Sequence, residues 1–149
     1  MARRLVRKAG KVVGLICLPI AFLDGIGQPA LVQGTSMEPT LKGNSSKWYN
    51  NDIVWLRKQF IRPHEGDIFV FISPRNERER LIKRVVAEPG ERVHWKDSTR
   101  FTVPLHHYWV KADNPKCAID STYFGAVNIG LMEGKATHVI WPPSRWRKL

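Results

Sequence analysis

Seven short apolar runs between residues 53 and 141 constrain the fold of this chain more than any other feature. Each run is rich in β-branched and aromatic residues, and turn-forming Gly, Pro, Asn and Asp residues separate the runs. Runs this short favour strands over helices, and closely spaced turns favour hairpins. The sequence therefore predicts a mainly β domain with antiparallel pairing. The predicted strands cover residues 53–56, 68–72, 81–87, 92–95, 101–103, 108–110 and 137–141. The charged residues 75–80 are predicted to form a solvated loop.

The segment before these runs has a different character. Five of the first eleven residues are basic, and residues 12–23 are apolar. As a helix this apolar stretch would span only about 18 Å, against about 30 Å of bilayer hydrocarbon, so reaching bilayer length extends it to residue 32. A basic flank before an apolar segment is typical of a membrane orientation signal. We predict a basic arm (1–11), a transmembrane anchor (12–32) and a β-rich domain (33–149). A cleaved targeting peptide or a buried helix are the alternatives.

A serine follows this apolar segment in the stretch Gly34-Thr35-Ser36-Met37-Glu38-Pro39. Gly34 allows a tight turn, and Pro39 fixes its own φ and favours an extended Glu38. Ser36 is therefore expected on a stiff, non-helical segment, which suits a nucleophile. Serines beside glycine are more often plain turn residues, so this stretch alone leaves both interpretations open.

Lys83 is the candidate base for this serine. In the predicted strand 81–87, alternation puts Lys83 on one face with Leu81, Val85 and Ala87, which are all apolar. Burial disfavours the charged form of an amine, and a neutral amine can take a proton from a serine hydroxyl. Ser–Lys pairs are a known variant of the serine nucleophile. The alternative is a lysine at a strand edge whose amine reaches solvent.

Other chemistry receives less support from the sequence. Cys17 and Cys117 lack the spacing of a metal site and lie in unlike segments, so we expect two free thiols and no metal. The net charge is +11, but no nucleic-acid-binding module is visible. A Ser-His-Asp triad is a rival for the serine, although no histidine lies in a motif that requires it. The histidines are His64, His94, His106, His107 and His138.

Four ordered blocks resemble the signal peptidase I family. The blocks are Ser36-Met37-x-Pro39-Thr40, then Gly66-Asp67-Ile68, then Lys83-Arg84-Val85-Val86-Ala87-x-Pro89-Gly90, and last Asp113-Asn114 with Asp120-Ser121 and Phe124-Gly125. The match runs from about residue 34 to residue 127. The short chain and its tail, residues 137–143 with Arg145-Trp146, resemble the subunit 2 branch of the mitochondrial inner membrane proteases.

The resemblance implies a membrane-anchored serine endopeptidase with a signal-peptidase-type antiparallel β domain behind one N-terminal anchor helix. Ser36 would be the nucleophile and Lys83 the general base, and the Ser36 backbone N–H would contribute to the oxyanion hole. Substrate would bind as an added strand in an extended groove. Asp113 and Asp120 would be structural, and Ser121 would support Lys83. The implied supporting residues are Gly34, Met37, Pro39, Arg84, Asp113, Asp120 and Ser121.

Several positions depart from the bacterial pattern of the family. Ala112, Ala118 and Thr122 stand where that pattern has glycine, serine and arginine. The family serine is thought to orient the lysine amine, so Ala118 leaves that role unfilled. Thr122 removes the arginine that would pair with Asp120. Gly34 stands where some members have a serine whose hydroxyl assists the oxyanion. In this chain, backbone N–H groups would have to stabilise the oxyanion instead.

The function that the resemblance implies is removal of targeting presequences from proteins sorted to the mitochondrial intermembrane space. The catalytic domain would face that space from the inner membrane, with preproteins as substrates and the other protease subunit as heterodimer partner. No cofactor, metal or nucleic acid is implied. The alternatives are a bacterial-type signal peptidase with secretory substrates, a non-catalytic membrane scaffold, and a self-cleaving repressor, which the apolar N-terminal segment disfavours.

Overall fold

Antiparallel strands form most of the part of the chain that the computed structural model describes, residues 27–58, 62–95, 99–116 and 119–149. One helical turn, α1 (Ser121–Phe124), and three 3-10 turns connect them. The mainly β prediction is confirmed. The strands are β1 (Gln28–Leu31), β2 (Ile53–Arg57), β3 (Ile68–Ser73), β4 (Asn76–Ala87), β5 (Arg92–Trp95), β6 (Thr99–Thr102), β7 (His107–Lys111), β8 (Val127–Asn128), β9 (Met132–Trp141) and β10 (Arg147–Lys148).

Eight strands join in one sheet, in the order β1-β2-β9-β3-β4-β7-β8, with β10 paired to β9. The other two strands, β5 and β6, form a separate hairpin. The long strand β9 pairs with both β2 and β3, so it ties the first strands of the sheet to its middle. Every pairing in these sheets is antiparallel.

The central strand β3 separates the core into two layers. Its residues are apolar and mostly buried, and successive side chains point to opposite faces of the sheet. Ile68 and Val70 pack into one cluster with Met37 and Leu41, whereas Phe69 and Phe71 pack into another on the opposite face. A third cluster forms around Trp109, beneath the β5–β6 hairpin.

The N-terminal boundary differs from the prediction. Residues 28–31, assigned above to the end of the 12–32 anchor, form β1 and pair with β2 from Gln28↔Leu56 to Leu31↔Ile53. A short apolar stretch with Pro29 suits an edge strand as well as a helix end, so the sequence does not separate the two. The rest of that segment and the basic arm lie outside the described residues. No helix in the described ranges is long and apolar enough to cross a membrane.

Two further differences concern strands. Residues 76–80, predicted as part of a solvated loop, extend β4 as an exposed, irregular half-strand, in which Asn76 pairs with Ser73 and Arg80 with Ile72 of β3 and the register shifts between these two pairs. Their charged side chains are solvated, as expected, but their backbone is not a loop. The two-residue strands β8 and β10 were not predicted, because so short a stretch carries no period. Strand β5 has the predicted bounds, and β2, β3 and β9 include the predicted ones.

Candidate active site

Ser36 lies on a tight turn between β1 and β2. The turn is closed by hydrogen bonds from Glu38 N–H to the Thr35 carbonyl at 3.1 Å and from Leu41 N–H to the Met37 carbonyl at 2.7 Å. Met37 and Leu41 are fully buried in the core, so the turn is fixed from below. Ser36 thus stands on a rigid, non-helical segment, as its sequence context predicted.

Gly34 begins this turn in a conformation that favours glycine. Its φ is +88°, in the left-handed region, and its N–H donates to the Gly43 carbonyl at 2.8 Å. A Cβ on Gly43 would lie 2.7 Å from the Gly34 carbonyl oxygen, so both glycines are needed for this close backbone crossing. The crossing of Gly34 and Gly43 therefore fixes the position from which the Ser36 turn begins.

Lys83 projects from β4 toward Ser36 and is almost fully buried, with 2% of its surface exposed. Its Nζ donates to Ser36 Oγ at 2.8 Å and to the Ile82 carbonyl at 3.0 Å. Val85 and Ala87, on the same face of β4, are also buried, which confirms the predicted orientation of the lysine. The structure therefore brings the two candidate catalytic side chains into direct contact, although β1 and β4 are separated by three strands in the sheet.

This contact permits general-base chemistry. A buried amine favours its neutral form, and at 2.8 Å its lone pair can accept the hydroxyl proton as Ser36 attacks a carbonyl. The Ser36 backbone N–H has no hydrogen-bond acceptor in the described part of the chain, so it is available to a developing oxyanion. Its oxyanion role stays a prediction.

Arg84, the neighbour of Lys83, faces away from it and holds Asp113. The guanidinium donates to both carboxylate oxygens, at 2.9 Å from Nε and 2.7 Å from Nη2, and its Nη1 donates to the Gly66 carbonyl. Burial alone would raise the pKa of Asp113, but hydrogen bonds from Arg84 and Thr40 and the charge of Arg84 hold that pKa below its usual value. The same hydrogen bond raises the pKa of Arg84.

Asn114 connects this ion pair to the turn that carries Ser36. Its backbone N–H donates to the Ser36 carbonyl and its side-chain Nδ2 to the Thr35 carbonyl, both at 3.0 Å. Asn114 lies in a predicted motif, but no role was predicted for it. The signal was its position beside Asp113, which by itself does not reveal that the contact is made to backbone carbonyls.

Asp120 and Ser121 stabilise the segment behind the site. Asp120 caps α1 by accepting from Thr122 N–H at 2.9 Å and from the Thr122 hydroxyl at 2.6 Å, so threonine supplies a local hydrogen bond at the position of the family arginine. Ser121 is fully buried, and its Oγ accepts from Val110 N–H at 2.9 Å. The support that Ser121 was predicted to give Lys83 stays a prediction. Ala118 lies outside the described residues.

The C-terminal segment contacts the Ser36 turn on the side opposite Asn114. The sequence did not predict this contact. Arg145 forms an ion pair with the fully buried carboxylate of Asp52 at 3.0 Å and donates to the Thr40 carbonyl at 3.3 Å. Arg147 also donates to that carbonyl. Asp52 accepts from Lys42 N–H through the same oxygen. Arg145, Arg147 and Asp52 therefore fix the end of the Ser36 turn at Thr40 and Lys42.

A cleft of about 620 Å³ opens beside Ser36 and Lys83. One wall is the chain from Gln28 to Gly34 and the other is residues 78–83 of β4. Strand β1 is an edge strand, and β4 pairs with β7 only from Arg84 onward. Among the described residues, both walls therefore carry strand edges without a partner, a geometry that can accept an extended chain.

The rival sites gain no support from these contacts. In the described part of the chain, His64 forms a hydrogen bond with Glu88, His107 with the Leu105 carbonyl and His138 with Thr137. No hydrogen bond there joins a histidine to Ser36. No group of three or more His, Cys, Asp or Glu residues in the described ranges could hold a metal ion. Cys17 and Cys117 lie outside those ranges.

An antiparallel β domain that presents a serine against a buried lysine defines a class of serine peptidases. The family described as "Signal peptidase, peptidase S26" matches residues 4–99, a range that includes both Ser36 and Lys83. The chain belongs to this family and is a serine peptidase.

Comparison with individual members of the family shows which of them the chain resembles. The chain is 38% identical to mitochondrial inner membrane protease subunit 2 of Mus musculus, over 90% of this chain and 79% of that protein. It is 30% identical to subunit 2 of Saccharomyces cerevisiae, over 97% and 85%. Subunit 1 of Mus musculus is 30% identical over 91% and 82%. A crystal structure of signal peptidase I from Enterococcus faecalis matches 52% of this chain and 98% of that chain, at 28% identity and a TM-score of 0.45.

Proposed function

We propose that this protein removes targeting presequences from proteins sorted to the mitochondrial intermembrane space. Ser36 is the nucleophile and Lys83 the general base. The observation that carries this proposal is the 2.8 Å hydrogen bond between Ser36 Oγ and the buried Lys83 amine. The names of the subunit 2 relatives support the mitochondrial inner membrane as the site of action.

The reaction follows from the position of each group. The substrate lies as an extended strand between β1 and β4, with its scissile carbonyl at Ser36. Lys83 takes the hydroxyl proton as Ser36 attacks, and the Ser36 N–H stabilises the oxyanion, a contribution worth about 3 kcal/mol in such enzymes. Lys83 then gives the proton to the leaving amine, and water releases the acyl-enzyme by the same steps in reverse order.

The proposal also includes the setting of the enzyme. The apolar segment before β1 anchors the chain in the inner membrane, and the β domain faces the intermembrane space. The relatives include both subunit 1 and subunit 2 proteases, which supports a heterodimer with a second catalytic subunit. No cofactor takes part in the reaction as proposed.

The test is presequence cleavage by membranes that carry the partner subunit with wild-type protein, Ser36→Ala or Lys83→Met. Both variants should lose, at unchanged protein level, all cleavage beyond that of membranes with the partner subunit alone, because each removes one member of the reacting pair. Ser73→Ala and Lys111→Met, which change a buried serine of β3 and an exposed lysine of β7, serve as matched controls and should retain activity. Undiminished cleavage by Ser36→Ala would overturn the assignment and favour a non-catalytic scaffold.

A further inference from the structure

The C-terminal segment, residues 145–149, has a fixed position beside the Ser36 turn. Its strand β10 pairs with the end of β9, and Leu149 N–H donates to the Thr137 carbonyl at 2.9 Å. Leu149 also packs against the apolar cluster that includes Met37 of the turn. Side chains on this segment can therefore hold the turn in place, although the two are far apart in sequence.

Two guanidinium groups of the C-terminal segment bind one carbonyl of the turn. Arg145 Nη2 donates to the Thr40 carbonyl at 3.3 Å, and Arg147 Nη2 donates to the same oxygen. A carbonyl oxygen has two lone pairs, so it can accept both hydrogen bonds. Hydrogen bonds from charged donors are stronger than those between neutral groups. Thr40, four residues after Ser36, is thus firmly attached to the C-terminal segment.

Thr40 is also held from the side of β4. Its hydroxyl lies 3.5 Å from Arg84 Nη2, and the hydrogen bond between this hydroxyl and Asp113 helps to keep the pKa of that carboxyl below its usual value. Arg84 directly follows Lys83 on β4. Thr40 therefore joins the turn that carries Ser36 both to the strand that carries Lys83 and to the C-terminal segment.

The two arginines differ in their other contacts. Arg145 also forms an ion pair with Asp52, whose side chain is 0% exposed, so its removal leaves a buried charge as well as a lost contact to Thr40. Arg147 is exposed, and among the described residues its side chain makes one hydrogen bond, to the Thr40 carbonyl, and no ion pair. Replacing Arg147 therefore tests the contact to Thr40 without uncovering a buried charge.

We infer that Arg147, together with Arg145, is a positioning residue for the reaction at Ser36 and acts through the Thr40 carbonyl. This inference rests on the proposed function, because it concerns the same reaction. Loss of one donor frees the turn to shift, and small displacements of a nucleophile lower the rate of its attack. Neither arginine lines the cleft, so substrate binding should not change. We expect Arg147→Met to lower kcat about threefold to tenfold at unchanged KM.

The experiment uses the solubilised complex of the full chain with its partner, and a preprotein that the partner alone does not cleave. Arg147→Lys keeps a charged N–H donor, so its kcat should return to within about twofold of wild type. Lys148→Met is the matched control, because Lys148 is the exposed neighbour of Arg147 on β10 and no described hydrogen bond or ion pair joins its side chain to the turn. It should keep the wild-type kcat.

A triple variant removes both donors without leaving a buried charge. Arg145→Met and Arg147→Met are combined with Asp52→Asn, in which the amide oxygen can still accept from Lys42 N–H. Its kcat should fall about tenfold to a hundredfold, again at unchanged KM. The urea midpoint of each variant shows whether the loss of rate follows a loss of stability, which Arg147→Met should not show.

Three results would overturn the inference while the proposed function stands. They are a wild-type kcat in Arg147→Met, an equal loss of kcat in Lys148→Met, and a kcat in Arg147→Lys as low as that of Arg147→Met. Failure of the wild-type complex to cleave any preprotein beyond the partner's own substrates would overturn both.

Discussion

Ser36 and Lys83 come from positions 47 residues apart and meet through a single 2.8 Å hydrogen bond. The lysine is held by burial and by the Ile82 carbonyl, whereas the serine is held through its backbone. Asn114 binds the carbonyls of Thr35 and Ser36 on one side of the turn. The geometry of the Ser36–Lys83 contact therefore depends on hydrogen bonds to main-chain carbonyls.

Replacing Asn114 tests this dependence. Asn114→Ala removes the hydrogen bond to the Thr35 carbonyl and should lower the free energy of unfolding by about 1 kcal/mol. Because small displacements of a nucleophile are costly, kcat should fall about tenfold to a hundredfold while KM changes little. Cleavage kinetics and chemical denaturation would be measured together.

An exposed asparagine outside the site provides the control for this variant. Asn76→Ala, at the start of β4, should leave kcat at the wild-type value. If Asn114→Ala lost stability but kept the wild-type kcat, Asn114 would be only a structural residue.

At this scale, the sequence pointed to the Ser36–Lys83 pair, which the structure brings into contact, but not to the residues that hold it. Lys83 was visible because a lysine among apolar residues at alternate positions is unusual. Asn114 and Arg145 were not assigned a role, because each acts on a backbone carbonyl of a distant segment, and such carbonyls are present at every residue. Sequence patterns report which side chains are chemically unusual, but not which main-chain groups they will meet.

At the level of elements, one ion pair joins β4 to the segment after β7. Arg84 binds Asp113 with two hydrogen bonds, and Asp113 precedes the residue that holds Ser36. The strand that carries Lys83 and the turn that carries Ser36 are thereby linked through a third segment. Any condition that breaks this pair should loosen both sides of the site together.

Acid should break this pair, with a sign fixed by the pKa of Asp113. That pKa is lower in the folded protein than in the unfolded chain, so the pair stabilises the fold above the unfolded pKa, and this stability is lost as pH falls through the folded one. The difference in unfolding free energy between wild type and Asp113→Asn should be constant above about pH 5 and shrink toward about pH 2.

A double variant isolates the ion pair from other acid effects. Arg84→Met combined with Asp113→Asn should show the same pH profile as Asp113→Asn alone, because both lack the titrating carboxylate. A gap between wild type and Asp113→Asn that stayed constant down to about pH 2 would contradict the assignment.

The C-terminal segment is the second element that bears on the site. Arg145 forms an ion pair with Asp52, whose carboxylate is fully buried, and both residues contact the segment that follows Ser36, at Thr40 and Lys42. Arg145→Met leaves a buried charge without its partner and should cost about 3 kcal/mol of unfolding free energy. Urea denaturation would measure this loss.

Two variants give this prediction its controls. Arg147→Met changes an exposed residue and should cost less than about 1 kcal/mol. Adding Asp52→Asn to Arg145→Met should recover part of the lost stability, since the uncompensated charge is then removed. A loss no larger for Arg145→Met than for Arg147→Met would show that the buried pair does not stabilise the fold.

Element boundaries show where sequence patterns lose information. The apolar runs of β2, β3 and β9 were predicted because period and turns agreed. Strand β1 was assigned to the anchor, because four residues after an apolar segment fit either structure and only pairing with β2 decides. The composition of the exposed half of β4 predicts a loop, because its residues are charged and carry no strand period, and only Asn76 and Arg80 within it pair with β3.

For the whole molecule, one curled sheet provides both the core and the site. Three strands separate β1 from β4 in the sheet, yet the turn after β1 contacts Lys83, so the sheet must bend back on itself. The apolar cluster that includes Val54, Leu56 and Val70 fills the bend and also forms the floor of the cleft. The same apolar side chains therefore belong to both the core and the cleft, and the order of the strands determines where the cleft opens.

Two strand edges that have no partner in the described part of the chain border the cleft, and they also bear on the turnover rate of the enzyme. Both edges, residues 28–34 and 78–83, extend to the same side of Ser36 and Lys83. In the proposed reaction, cutting the strand leaves nearly all of its backbone bonds with one fragment, while the other fragment leaves with few. The tightly held fragment must peel away before the next chain can enter. We therefore expect release of this fragment, and not cleavage of the peptide bond, to limit the rate of repeated cycles.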